Sequence, residues 1–101
     1  MTNNTETLHY RILSCILDYN VNLDFPKLKD ILSKINFTSV NSVQVAICYL
    51  KNKGFIKSKG TIPNIFYYIT ELGSNRIREI EAIEERNRIL SHYDRMFLTG
   101  D

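Results

Sequence analysis

The chain has 101 residues, enough for one domain with a modest core, and its 44% hydrophobic and 24% charged residues exclude a disordered polymer. No stretch approaches the roughly 18–20 apolar residues of a membrane span. The opening Met1-Thr2-Asn3-Asn4-Thr5-Glu6 has neither basic flank nor apolar run, so no signal peptide and a cytoplasmic location are expected. The net charge of +2 hides an asymmetry, because residues 25–70 carry seven lysines against the single acid Asp30 while each flank is net negative. Such a basic middle is the expected footprint of a phosphate-binding surface.

Residues 5–20 predict a first helix, with Leu8, Ile12, Leu13, Ile16 and Leu17 on one face. Asn20 and Asn22 mark its end, and residues 21–24 read as a short extended connector. A second helix is expected over 25–36, with Asp24 as cap, Pro26 in the first turn and Leu28, Ile31, Leu32 and Ile35 inward. After Phe37, either Thr38 or Ser39 can cap a third helix over about 39–53, with Val40, Val43, Ile47 and Leu50 on its buried face. Gly54 stands where a left-handed residue commonly closes a helix. The period then changes to that of strands. Residues 55–59 and 65–70 are β-prone, and Gly60-Thr61-Ile62-Pro63-Asn64 between them predicts a fairly long hairpin tip. Thr70 can cap a last helix over 71–97, in which Gly73 is a weak point, and residues 98–101 read as a frayed tail.

Helix, helix, helix, hairpin, long helix is the connectivity of a winged helix-turn-helix. The expected fold class is mainly α with a β-hairpin wing. Residues 5–70 are expected to form a winged-helix DNA-binding domain and 71–97 a C-terminal dimerisation helix of the same compact unit.

A more specific resemblance covers residues 39–73. Val43, Ile47 and Leu50 stand eleven, seven and four positions before Gly54; Phe55-Ile56 follow, then a charged wing, then Tyr67-Tyr68-Ile69-Thr70-Glu71-Leu72-Gly73. This pattern resembles winged-helix repressors of the MarR and PadR kinds, whose strand end reads Y-x-L-T-x-x-G, with Ile69 here in place of the commoner Leu. The chain is short for the MarR kind and more closely resembles PadR-like regulators and small regulators of archaeal viruses and plasmids. It is also similar to archaeal winged-helix chromatin proteins and to plasmid-partition adaptors that bind centromeres. The resemblance implies double-stranded DNA as partner, with repression of transcription as the expected role and an architectural or partition role as the alternative. A protein-interaction module is a further alternative.

The third helix is the candidate reader of the major groove. Asn41 and Gln44 carry the amide that pairs bidentately with adenine; Ser39 and Ser42 suit a base or phosphate, and Val45 a thymine methyl. Its first half holds no Arg or Lys, so guanine readout is not expected and A·T-rich or shape-based binding is. Lys27, Lys51, Lys53, Lys57 and Lys59, with Thr61 and Asn64 at the wing tip, are the candidate phosphate or minor-groove contacts. Adjacent Tyr67 and Tyr68 must face opposite ways on a strand, so they do not form a stacking platform.

A last helix of roughly 27 residues is too long to pack wholly on so small a domain. Ile77, Ile80, Ile83, Asn87, Leu90, Tyr93 and Phe97 define an apolar stripe suited to a second copy, with Asn87 setting register. Glu84 and Arg88 are placed for an i,i+4 ion pair. Cys15 and Cys48 are expected to be buried free thiols, and His9 and His92 sit near opposite ends of the sequence, outside any metal-ligand spacing, so no metal is expected. No Gly-rich phosphate loop or nucleophile–base arrangement is present in the sequence, so neither an enzyme nor a cofactor is expected.

Overall fold

The computed structural model describes residues 4–36 and 39–99, with side chains over 7–36 and 39–92. Helices α1 (Asn4–Val21), α2 (Leu28–Ile35) and α3 (Val40–Asn52) precede an antiparallel hairpin of β1 (Ile56–Thr61) and β2 (Asn64–Ile69). Helix α4 (Glu71–Thr99) completes the chain. This is a winged-helix fold: three helices, a two-stranded wing and a long C-terminal helix.

The core collects where the apolar periods meet. Leu8, Ile12, Leu13, Cys15 and Ile16 of α1 pack with Ile31 and Ile35 of α2, Val43, Ala46, Ile47 and Leu50 of α3, Ile56 of β1 and Ile77 of α4. Helix α1 is the hub, touching α2, α3, β2 and α4. Val40, expected inside α3, is instead 50% exposed at the first position of the helix, while Ala46 takes a core place.

The connector between α1 and α2 is longer than its sequence suggests. Leu23 is left-handed at φ 59°, and Asn22 N and Asp24 N both donate to Tyr19 O. Asp24 does not cap α2; its Oδ1 accepts from Phe25 N at 2.9 Å. Pro26 lies before the helix, buried, with its carbonyl accepting from Tyr67 N at 2.9 Å, so this segment lies along the free edge of β2. The N-cap is Lys27, whose backbone N–H donates to Asp30 Oδ2 at 2.9 Å. Asn36, left-handed at φ 52°, closes the helix.

Ser39 caps α3, with its side chain accepting from Ser42 N at 3.2 Å; Thr38 and Phe37 lie outside the described residues. Gly54 follows the helix at φ 78°. The wing is tighter than the expected loop over 60–64, because the ladder runs on to the Thr61–Asn64 pair. Only Ile62-Pro63, joined by a cis peptide bond, turns the chain.

Thr70 joins wing to α4. Its Oγ1 lies 2.6 Å from Gly54 O and 3.0 Å from Phe55 O, and accepts from Gly73 N at 3.1 Å. Gly73 is a fitting requirement rather than a weak point: a Cβ there would collide with Phe55 O and come within 2.8 Å of Ile69 Cγ1. Arg88 pairs with Glu85 at 3.0 Å rather than with Glu84.

Candidate nucleic-acid interface

Helix α3 buries Val43, Ala46, Ile47 and Leu50, and this fixes what its other side presents. Asn41, Gln44, Val45, Cys48 and Tyr49 lie at three- and four-residue steps and are all exposed. Asn41, Gln44 and Val45 stand as their spacing predicts. Ser39 and Ser42 are engaged with each other through their hydroxyls at 3.1 Å, so they first serve the helix start. Cys48 is exposed rather than buried. It sits one turn beyond Gln44, on the outward stripe, although cysteine is among the residue types most often buried. Tyr49 stacks on His9 of α1, with ring centroids 4.6 Å apart and planes 9° from parallel.

The wing sorts its residues by the period of two. Lys57 faces Tyr68, Lys59 faces Phe66 and Thr61 faces Asn64 across the ladder, so these six share one face. The other face carries Ile56, Tyr67 and Ile69 onto the core. Burial pushes the Tyr67 hydroxyl above its ordinary pKa, with nearby Cys48 adding to the rise.

Lys29, Lys34, Lys51, Lys53, Lys57 and Lys59 are exposed. Both ion pairs found among the described residues, Arg76–Glu79 and Arg88–Glu85, lie in α4, so no described lysine is neutralised by a carboxylate. Lys53 lies 5.6 Å from the Tyr49 ring centroid and Lys34 4.7 Å from that of Tyr19. Lys27 departs from its expected place as a free phosphate contact. It is half-buried, bonded to Asn64 Oδ1 at 3.0 Å and lying 5.1 Å from the Phe66 centroid. Neither partner was visible to local sequence reasoning, since both lie across the fold.

On α4, Ile77 is 4% exposed and belongs to the core of its own domain, not to a free stripe. Ile80 is half-buried, whereas Ile83, Asn87 and Leu90 are exposed. The side chains of Tyr93 and Phe97 lie outside the described residues. No group of His, Cys, Asp and Glu suited to a metal occurs among the described residues, and no described helix is long and apolar enough to cross a membrane.

No family model and no curated protein matches the sequence. Solved structures do resemble the fold. A PadR family transcription regulator from Clostridium difficile R20291 superposes with a TM-score of 0.63 at 16% identity, over 90% of this chain and 97% of its own. SSV1 F-93 gives 0.57 at 23% identity, over 81% of this chain and 91% of its own. The adhesin competence repressor AdcR of Streptococcus pyogenes gives 0.55 at 16% identity, over 96% of this chain and 65% of its own. These likenesses place the chain among winged-helix folds, as the residues of α3 and the wing imply.

Proposed function

We propose that this protein binds double-stranded DNA as a homodimer and represses transcription. The observation that carries the reading is the concentration of all seven lysines in residues 25–70 of a winged helix, with no carboxylate partner for any of them. In this reading α3 enters the major groove and sets Asn41 and Gln44 against base edges, with Val45 against a thymine methyl. Lys51, Lys53, Lys57 and Lys59, with Thr61 at the wing tip, meet the backbone and minor groove. The resemblance to a PadR family transcription regulator and to a competence repressor supports a regulatory role.

The test is a gel shift across a salt series. Each neutralised phosphate adds roughly −0.9 to the slope of log K against log salt. The double variant Lys57→Ala, Lys59→Ala should shrink that slope by about two such contacts and weaken all sequences alike. A wild-type protein without salt-dependent binding would be a protein-interaction module instead.

An architectural or partition role is the second reading, favoured by the lack of any Arg or Lys from Ser39 to Leu50. Selection of bound fragments from random DNA separates the two. A repressor returns a two-fold motif with half-sites about one turn apart, and an architectural protein returns none.

A further inference from the structure

The wing tip breaks a local rule. Two-residue hairpin turns favour Asn-Gly and similar polar or glycine pairs, yet this one is Ile62-Pro63, with Ile62 84% exposed. A large apolar side chain thus stands at the end of an arm whose first strand, beyond Ile56, is polar and lysine-bearing. Departures of this kind are expected where function imposes them.

We infer that Ile62-Pro63 is an apolar wedge that enters the DNA minor groove, unstacks a base step and kinks the duplex; this rests on the DNA-binding reading above. The dimensions fit. At about 3.3 Å per strand residue, the four residues from Ser58, which pairs with core-packed Tyr67, to Ile62 carry the tip roughly 13 Å beyond the core-facing part of the wing. The minor groove is about 6 Å wide and 7.5 Å deep, which suits a two-residue turn. Lys59, three residues behind the tip at about 3.3 Å each, then comes level with the phosphates at the groove mouth. Thr61 and Asn64 flank the tip at the depth of the base edges. Apolar side chains such as Ile and Pro act as wedges between base steps elsewhere, with cationic neighbours on the backbone.

The arm is also braced for insertion. Lys27 Nζ holds Asn64 Oδ1 at 3.0 Å and ties the base of the tip to the start of α2. Gly60, at φ 100°, lets the strands close tightly beneath the turn, because a Cβ there would collide with Asn64 O. Flexible pyrimidine–purine steps are the least costly to unstack, so the tip should settle on TA or CA steps.

Ligase-driven ring closure tests the wedge without knowledge of the target site, on fragments of about 150 base pairs, one persistence length. The wild-type protein should accelerate closure, through kinks in the range of about 20–90°. Ile62→Ser should keep the salt-dependent gel shift but close rings no faster than naked DNA, and Ile62→Met should retain the acceleration. The exposed position leaves folding unchanged, which circular dichroism checks. Normal binding with no acceleration by the wild type, or equal acceleration by Ile62→Ser, overturns the wedge alone. A wild type that binds no duplex at low salt overturns the DNA-binding reading and the wedge with it.

Discussion

Lys27 Nζ donates to Asn64 Oδ1 at 3.0 Å, joining the start of α2 to the tip of the wing across 37 residues of sequence. The same ammonium lies 5.1 Å from the Phe66 ring centroid, so a cation of the basic segment is fixed in the fold. The bond is exposed to water, so its expected contribution is about 0.5 kcal/mol, the low end of the net range for an ordinary hydrogen bond. A double-mutant cycle of Lys27→Met and Asn64→Ala, read by urea denaturation, should return a coupling of that order. Strictly additive losses would show that the two side chains do not hold each other in solution.

Gly73→Ala should destabilise by about 2 kcal/mol, within the range for overpacking. The sign is informative, since glycine to alanine inside a helix ordinarily stabilises by about 1 kcal/mol. Here the new Cβ meets Phe55 O, a backbone atom already held near Thr70 Oγ1 at 3.0 Å, and Ile69 Cγ1 at 2.8 Å. Neither neighbour can withdraw without opening the junction of wing and α4. A thermal scan showing a raised Tm would contradict this packing.

The two thiols should behave differently. Cys48 is exposed and Cys15 buried, so a disulfide-exchange reagent should label one thiol quickly in the native protein and the second only on unfolding. Burial also pushes Cys15 above its ordinary pKa of 9.0, with Asp18 and Asp30 adding to the rise and Lys34 opposing it. A pKa raised by folding leaves stability intact below the unfolded value and removes it as pH climbs through the folded one. Unfolding free energy should therefore hold through neutral pH and fall above pH 9. Cys15→Ala should flatten that alkaline limb; an unchanged limb would assign it to Tyr67 or other groups.

What the sequence made legible was whatever repeats locally. The stripes at Leu8, Ile12 and Ile16, and at Val43, Ile47 and Leu50, lie in the core because three- and four-residue spacing needs no partner to be recognised. The caps at Ser39 and Thr70 and the left-handed Gly54 are equally local. The misplacements fall where distant chain decides. Pro26 could open a helix by its own chemistry, but its carbonyl is taken by Tyr67 N, which holds the segment extended beside β2. Helix propensity alone makes Gly73 a cost, whereas the approach of Phe55 sets its identity. On α3, Asn41, Gln44 and Val45 were identifiable as outward residues, but the role of Lys27 depended on Asn64 and Phe66 folding back to it.

Asn41 and Gln44 should govern sequence selectivity. Both are exposed on α3 one turn apart, and a good bidentate amide–adenine pair contributes about 1–3 kcal/mol of discrimination. Asn41→Ala or Gln44→Ala should relax the preference at one base position of each half-site while leaving the salt slope unchanged. Fragment selection with each variant checks this. A variant that returned the wild-type motif would remove that residue from the readout and leave shape as the source of selectivity.

Helix α4 should divide into an intramolecular and an intermolecular part. Its N-terminal turns are tied down by Ile77, 4% exposed in the core, and by half-buried Ile80. Beyond them Ile83 and Leu90 are 54% and 52% exposed. The principal extent of 63 Å against 27 and 23 Å shows how far the molecule reaches in one direction. Twenty-nine residues at 1.5 Å each make α4 about 44 Å long, well beyond the narrow dimensions. A second copy laid along this stretch would remove both side chains from water, with Asn87 between them setting register. Ile83→Lys with Leu90→Lys should leave the circular dichroism spectrum and Tm of the domain nearly unchanged, yet yield a monomer in analytical ultracentrifugation. DNA affinity should fall with it, because two linked α3 helices bind more tightly than one. Ile77→Ala should do the reverse, costing about 2–5 kcal/mol of stability as a core truncation without targeting the association surface. A double lysine variant that sedimented as a dimer would place the association surface elsewhere on the molecule.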